Sequence, residues 1–317
     1  MSILISVVRA VLVVLIAYSA TFLLIHGLPK DGVDILTSSL DGLTQDRIEA
    51  LKEYYGLDRP LWEQYFIQLG NLLRGDLGYS IFSGRPVLTD ITSVMGHTAA
   101  LAGATLAVTF LVVAGIVLAA TLTRRPWLRT ALRNLPPLLG SIPAFWLGLV
   151  ALQLLSFRLK ALSIFPDGSF LSLFVPALVL AIPLSASITQ VVLKRADEIV
   201  GQPFVHTARA KGASERQLHF GHVYKNASGP AVTLLAILFG NLLIGTVVVE
   251  TVFNRPGIGT LLQQAVTRAD IAVVQGVVIL AAVVFTVLNL LVDLLYPLLD
   301  PRVSAFRRRQ EVSYGVA

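Results

Sequence analysis

Six long apolar runs constrain this chain more than any other feature of its sequence. A helix needs roughly 20 apolar residues to cross the hydrocarbon core of a bilayer. A strand in lipid would leave backbone amides unpaired, and a barrel would show short alternating segments instead of continuous runs. The sequence therefore predicts an all-α polytopic membrane protein with six transmembrane helices. The runs are Ala10–Leu28, Thr98–Leu122, Pro136–Phe157, Leu171–Leu193, Ala231–Val249 and Val273–Leu295.

Charge and composition support a membrane location and predict an orientation. Hydrophobic residues make up 55% of the chain and charged residues only 14%, against about 25% charged in soluble domains. The net charge of +6 could indicate nucleic acid binding, but the basic residues lie in short segments between the apolar runs. With both termini in the cytoplasm, internal segments carry 15 of the 25 lysines and arginines, as the positive-inside rule requires. No small-residue cleavage site followed by polar sequence ends the first run, so we expect it to be retained.

The first connection, residues 29–97, is too long for a simple turn and is predicted to be folded and external. Thr44 is a candidate N-cap for a helix over Arg47–Tyr55. Apolar and aromatic residues at helical spacing predict a second helix over Leu61–Leu73, ended by Gly75. Gly75, Gly78 and Gly84 are also consistent with ordinary loop turns.

The sequence contains no motif for an energy-consuming reaction. It has no Gly-Lys pair, which the Walker A phosphate loop requires, and neither an HExxH nor a GxSxG motif. Without cysteine it has no disulfide or thiolate metal site. The six runs contain almost no ionisable residues, Asp293 being the main exception, which counts against ion coupling. An ion-coupled carrier or channel and an intramembrane enzyme are the alternatives to a passive subunit.

The second long connection, residues 194–229, is basic and predicted to be internal. Gly212 breaks a helix-compatible stretch, and Ser214 can cap the next helix with Gln217 at its third position. The product is two short helices that either dock into a soluble partner or rest on anionic headgroups. The expected apolar contact surface consists of Phe204, Val205, Ala208 and Leu218, ringed by Arg209, Lys211 and Arg216.

Polar residues within the apolar runs are candidates for a translocation pathway or for hydrogen bonds between helices. They are Gln153, Gln190, Asn241 and Asn289. His219 and His222 are three residues apart on a predicted helix, but no carboxylate or thiol completes a metal site. Pro143 and Pro183 are candidate helix kinks.

The stretch from His206 to Gly212 resembles the "EAA" coupling loop of ABC importer permeases. Gly212 and Ala208 match the consensus of that family, while His206 stands where the consensus has Glu. Such replacement is common in the peptide and nickel branch. The resemblance implies that this loop contacts an ATPase subunit through Phe204, His206, Thr207, Ala208, Arg209, Ala210, Lys211, Gly212, Ser214 and Glu215.

Motifs along nearly the whole chain resemble the first permease of dipeptide, oligopeptide and nickel importers. Those in the first connection resemble the external "scoop" of that branch, and those at the end its C-terminal signature. A re-entrant external gate is implied over Glu250–Arg268, although Pro256–Gly257 also fits an ordinary turn. Gate candidates are Glu250, Phe253, Pro256, Gly257 and Gly259. The motifs are Gly56–Leu61, Gly75–Ser80, Gly84–Val87, Ser141–Gly148, Val249–Gly259, Asn289–Tyr296 and Leu299–Arg302.

This resemblance implies a type I importer permease in a bacterial cytoplasmic membrane. Its partners would be a second, similar permease, two ATP-binding cassette ATPases and an extracytoplasmic solute-binding protein, with no nucleic acid. The chain itself would be non-catalytic and carry no cofactor, since ATP and Mg²⁺ bind to the ATPases. The implied cargo is a short peptide, with nickel or a metal chelate as the alternative.

Overall fold

The computed structural model describes residues 3–26, 54, 59–163, 167–227 and 234–299. Apart from Tyr54, the helix predicted after Thr44 lies outside the described residues, as do the Asp293 side chain and the motif beyond Leu299. All regular elements within the described ranges are helical, which confirms the all-α class. The chain divides into two compact units, residues 1–98 with 256–286 and residues 99–255 with 287–317.

The described helices follow one another along the chain and are numbered here in order. A π-helical stretch, Leu152–Arg158, continues from α5, and another, His219–Val223, joins α8 to α9. The helices are α1 Ile3–His26, α2 Leu61–Leu73, α3 Val87–Leu122, α4 Pro126–Ser141, α5 Ala144–Ala151, α6 Phe170–Val200, α7 Pro203–Ala210, α8 Glu215–Leu218, α9 Tyr224–Ala227, α10 Leu235–Val252, α11 Ile258–Thr267 and α12 Ile271–Leu299.

Three of these helices are long and apolar enough to cross a membrane: α3, α6 and the Ile271–Val292 part of α12. The bent pair formed by α4 and Ala144–Arg158 raises the number to four if it is one span. Val8–Leu24 in α1 and Ile237–Val252 in α10 are shorter apolar helices. The predicted count of six spans is therefore not reached by length and composition within the described residues.

The predicted continuous span over Pro136–Phe157 differs from the structure. Its first residues belong to α4, and the chain bends by 93° between α4 and the helix that begins at Ala144. Pro143 explains the bend, because it has no N–H for the helical ladder and pushes the preceding residue out of the helical region. Ile142 is accordingly extended, with φ −90° and ψ 120°.

In the first unit, aromatic side chains join α1 to α2. The Tyr18 hydroxyl donates to the Tyr65 carbonyl oxygen over 2.7 Å, and the hydroxyls of Ser19 and Tyr65 lie 2.8 Å apart. The Phe22 and Tyr65 rings meet edge to face at 5.3 Å. The helix predicted over Leu61–Leu73 is confirmed and leads into a turn at Gly75, where φ is +81°.

The first unit also contains an apolar core formed by α3, α11 and α12. Val87 and Ile91 of α3 are buried against Ala265 of α11 and Val273 and Val277 of α12. The loop before α3 packs Leu77 against this core. Gly78 and Gly84 in this loop have positive φ values, as expected of glycines in loop turns.

In the second unit, α5, α6 and α10 pack around a core that includes Leu180, Val249 and Phe253. Gly148 of α5 lies so close to α10 that a Cβ would come within 3.0 Å of Val252. A Cβ on Gly245 of α10 would come closer still to a neighbour, 2.4 Å from Leu180 Cδ1. These glycines allow neighbouring helices to approach, as small residues do in membrane bundles.

Candidate functional site

The segment that follows α6, residues 201–227, forms the two short helices that the sequence predicts. The Gly201 N–H donates to the Asp197 carbonyl oxygen and ends α6, and Pro203 then occupies the first turn of α7. A proline fits this position because the first helical N–H groups have no intrahelical partner. We call residues 203–218 the coupling segment, after the role that the sequence predicts for them.

A glycine turn closes α7 within the coupling segment. The Gly212 N–H donates to the Arg209 carbonyl over 3.0 Å, and the Ala213 N–H donates to the Ala208 carbonyl over 3.2 Å. This pair of bonds is a Schellman motif, which needs a left-handed residue at its centre. Gly212 supplies it with φ +89°, and a Cβ at this position would meet open space.

The helix α8 begins with the capping box that the sequence predicts. Ser214 accepts a hydrogen bond from the Gln217 backbone N–H, and the Gln217 side chain accepts one from the Ser214 N–H over 2.8 Å. Across the glycine turn, Arg209 forms a two-pronged ion pair with Glu215, at 2.9 and 3.2 Å. This pair lowers the pKa of the Glu215 carboxyl, chiefly through the hydrogen bonds from Arg209.

The coupling segment packs against the end of α6. Val205 and Leu218 are each only 1% exposed and share a core with Ala196 and Ile199 of α6. The prediction that Val205 and Leu218 belong to an apolar contact surface is therefore wrong, since α6 covers them. Ala208 is partly buried against the same core, and of the predicted apolar surface Phe204 remains, at 43% exposed.

The other predicted coupling residues lie together on the exposed side of α7 and its turn. Arg209, Lys211 and Arg216 give this side a positive charge that Glu215 offsets in part. A rigid, exposed and basic protrusion of this kind has a shape that can fit into a groove on a partner protein. Its exposed members are His206, Thr207, Arg209, Ala210, Lys211, Gly212, Ser214 and Glu215.

Two contacts that sequence reasoning did not single out join the helices around the coupling segment, one between α9 and α3 and the other between α4 and α6. The Tyr224 hydroxyl lies 2.6 Å from Thr121 Oγ1 in α3. Arg133 in α4 donates twice to the Asp197 carboxylate of α6, at 2.6 and 2.8 Å. Neither contact has a local sequence signal, because the partners are far apart along the chain.

His219 is buried beneath the coupling segment. Its ring centroid lies 5.5 Å from that of Tyr224, and its Nε2 lies 4.0 Å from a Glu215 oxygen. Burial lowers the pKa of His219; Glu215 opposes this shift, while Arg129 and Arg209 add to it. Within the described residues, no group of three His, Cys, Asp or Glu side chains is placed to hold a metal ion.

The gate candidates of the second unit lie at the end of α10. Glu250 is 1% exposed and interacts electrostatically with Arg255, while Phe253 is part of the core around Leu180. Arg255, which sequence reasoning did not select as a gate residue, donates to the Ser172 carbonyl oxygen at the start of α6. Its only sequence signal is its place within the Val249–Gly259 motif.

The gate candidates of the first unit form the start of α11. Pro256 is exposed, whereas Gly257 and Gly259 are buried. The Gly257 N–H donates to the Thr260 hydroxyl over 3.0 Å, and the Ile258 N–H donates to the Thr98 hydroxyl over 2.8 Å. The first turn of α11 is thus tied to α3 by a side chain.

The pathway candidates lie on different elements. Gln153 is in the π-helical stretch after α5, Gln190 in α6 and Asn241 in α10, and all three side chains are exposed. Asn289 in α12 is partly buried and engaged in an interaction.

Comparison with known proteins assigns the fold to a class. Residues 111–305 match the family described as binding-protein-dependent transport system inner membrane component. A peptide transport system permease protein of Brucella abortus is 34% identical over 310 residues, which cover 94% of this chain and 96% of that protein. The glutathione transport system permease protein GsiC of Escherichia coli K12 is 34% identical over 286 residues, covering 89% and 92%.

These matches define the class as the permeases of ATP-driven, binding-protein-dependent importers. The chain belongs to the family of inner membrane components of binding-protein-dependent transport systems. The resemblance seen in the sequence motifs is thereby confirmed.

Proposed function

We propose that this chain is one of two permease subunits of an importer for short peptides and that it works without catalysing a reaction itself. It spans the bacterial cytoplasmic membrane six times with both termini inside. A second, similar permease completes the translocation pathway. Two ATPase subunits that bind ATP and Mg²⁺ attach on the cytoplasmic side, and a solute-binding protein delivers cargo on the other.

The coupling segment is the observation that carries this proposal. Its glycine turn, capping box and Arg209–Glu215 pair make a rigid element, and Val205 and Leu218 fix it to the end of α6. A force applied to the exposed side of α7 is therefore transmitted to α6 as a rigid-body motion, the kind of movement that switches access between the two sides.

The bend at Pro143 supports the six-span arrangement. Helix α4 has polar and basic residues on one side, including Arg129 and Arg133, as expected for a helix at the membrane surface. The apolar stretch Ala144–Arg158 then forms the third crossing, and α1 and α10 form the first and fifth.

The relatives favour a peptide cargo over nickel. One is named for peptide transport, and another for the transport of glutathione, which is itself a tripeptide.

Reconstituted uptake tests the proposal. The chain is purified with the proteins that accompany it, incorporated into liposomes with ATP on the ATPase side, and supplied with radiolabelled tripeptide and the co-purified binding protein. We expect uptake that requires ATP and all subunits. Uptake by this chain alone, or uptake driven by an ion gradient without ATP, would contradict the proposal and indicate a carrier.

A further inference from the structure

A cavity of about 370 Å³, lined by both polar and apolar side chains, lies within the first unit. Its walls come from the loop before α3, the first turns of α3, and the α11–α12 turn. A volume of several hundred Å³ is typical of small-molecule sites. Neither the coupling segment nor the gate candidates account for it.

One arginine of this cavity is neutralised by its surroundings. Arg85 Nη2 lies 2.6 Å from Asp90 Oδ1, and the Ser83 hydroxyl donates to the other Asp90 oxygen over 2.6 Å. The Asp90 side chain is almost fully buried, so this pair forms part of the wall. Its charges cancel and leave little attraction for a charged ligand.

A second arginine of the cavity, Arg268, indicates what kind of ligand the cavity binds. The Arg268 guanidinium carbon lies over the Phe82 ring, 5.7 Å from its centroid, within the range of a cation–π contact. Among the described residues, no carboxylate lies within 4 Å of it. An arginine without a carboxylate partner in the protein can bind the carboxylate of a ligand, to which its guanidinium can donate two parallel hydrogen bonds.

A buried carboxylate, Asp270, also lines the cavity and caps the N-terminus of α12. Asp270 is only 3% exposed and accepts hydrogen bonds from the Ser80 hydroxyl over 2.5 Å and from the Val273 N–H over 3.4 Å. Both donors are neutral, and within the described part of the chain no Lys or Arg lies within 4 Å of this carboxylate. The cavity thus presents one positive and one negative charge, flanked by apolar Val94 and Leu261.

We propose that this cavity binds a short peptide in its zwitterionic form, with the C-terminal carboxylate on Arg268 and the terminal ammonium group toward Asp270. A free peptide carries these two charges at its ends, and its side chains would contact the apolar wall. The inference rests on the proposed function, since it deepens that function by naming a cargo site on the external side, formed by the loop before α3 and the α11–α12 turn.

Binding of matched peptides tests the proposal. The probes are radiolabelled trialanine, its C-terminal amide and its N-acetyl form, measured by equilibrium dialysis against the full chain with its co-purified partners in lipid nanodiscs. We expect trialanine to bind at least about tenfold more tightly than its amide, since a hydrogen bond to a charged group is worth about that much. Acetylation of the amino terminus should also weaken binding.

Variants test whether the acid preference comes from Arg268 in this cavity or from an arginine elsewhere. Arg268→Gln should abolish the preference for the acid over the amide, Arg268→Lys should retain part of it, and Arg74→Gln, an exposed arginine at the end of α2, should leave it unchanged. Equal binding of acid and amide to the unaltered chain would overturn the inference, as would an undiminished preference in Arg268→Gln.

Uptake of the same peptide distinguishes the two levels of the proposal. If the complex imports trialanine with ATP but shows no acid preference, the cavity inference fails and the proposed function stands. If it imports no peptide at all, the proposed function fails, and the cavity inference fails with it.

Discussion

Gly212 shows how a single residue shapes the candidate coupling site. Its φ of +89° lies in the left-handed region, and a side chain there would cost about 1 kcal/mol or more. No neighbouring atom would touch a Cβ, so the space around Gly212 is open. Gly212 therefore closes the Schellman turn and leaves the surface beside that turn open.

The Gly212→Asp variant is expected to remain folded and membrane-inserted while ATP hydrolysis and uptake become uncoupled. Asp tolerates the left-handed region better than most residues, but it adds bulk and negative charge to a basic surface. We expect uptake per ATP hydrolysed to fall about tenfold, which corresponds to a change of about 1.4 kcal/mol between the barriers to coupled and uncoupled turnover. The measurement is paired ATPase and uptake rates in liposomes.

Gly201→Asp is the matched control for this variant. Gly201 is exposed near the same segment, but its φ of −78° is ordinary and its Cβ would make only normal contacts. It should keep normal coupling. Unchanged transport in Gly212→Asp would argue against the coupling role.

His219 gives the chain an expected pH dependence. Because burial lowers its pKa in the folded state, protonation favours the unfolded state. Its contribution to stability is therefore fully present above about pH 6.5, the ordinary pKa of histidine, and is lost as the pH falls below that value. Melting temperatures measured between neutral and mildly acidic pH should fall less steeply for His219→Phe than for the unaltered chain.

The exposed His206 offers the control, since His206→Phe should retain the acid sensitivity caused by His219. An identical acid-induced drop in the unaltered chain and in His219→Phe would show that other groups are responsible.

At the residue scale, local structure could be predicted from the sequence, whereas burial of side chains by distant parts of the chain could not. The Ser214–Gln217 capping box and the Gly212 turn depend on residues within a few positions of each other. The sequence alone is equally consistent with Val205 and Leu218 forming an exposed apolar surface or a buried core. Helical spacing shows that one face of a helix is apolar, but not whether another helix covers that face.

At the scale of elements, close helix approach depends on glycine. A Cβ on Gly245 of α10 would lie 2.4 Å from Leu180 Cδ1, and Leu180 is itself buried in the core. We expect Gly245→Ala to destabilise the protein by about 1–3 kcal/mol through overpacking. The measurement is the free energy of unfolding in mixed micelles.

Gly115 in α3 provides the comparison, since nothing lies within 4 Å of its Cβ position. Gly115→Ala should be neutral or stabilise the helix by up to about 1 kcal/mol. Equal effects of the two substitutions would show that helix approach at Gly245 is unimportant.

Hydropathy predicts the existence of the helices better than their ends. The run at Thr98–Leu122 belongs to α3, which begins at Val87, because the polar residues of its first turns continue the same helix. The run at Pro136–Phe157 conceals a bend, because Pro136, Pro137 and Pro143 are close together and only the last interrupts the helix.

At the scale of the whole molecule, the orientation can be tested directly because the chain contains no cysteine. Single cysteines that replace Arg129 or Arg216 should react with a membrane-impermeant maleimide only from the cytoplasmic side. A cysteine at Leu73, which is 81% exposed in α2, should react only from outside. The reverse pattern would overturn the proposed topology.

The division into two units could not be predicted from the sequence. Residues 256–286 join residues 1–98, although more than 150 residues separate the two stretches. Local hydrophobic periodicity does not show which distant stretches of a chain pack together. The cavity has walls from both stretches, so it could not be predicted from the sequence either.

Photocrosslinking from the coupling segment tests the central claim most directly. A benzophenone amino acid replaces Lys211, which is exposed beside the glycine turn, and a second version replaces Trp62 in α2 as the control. Irradiated membranes should yield a crosslink from position 211 to an ATP-binding subunit and none from position 62. A chain that crosslinks from position 211 only to lipid, while ATP-driven uptake is intact, would contradict the account.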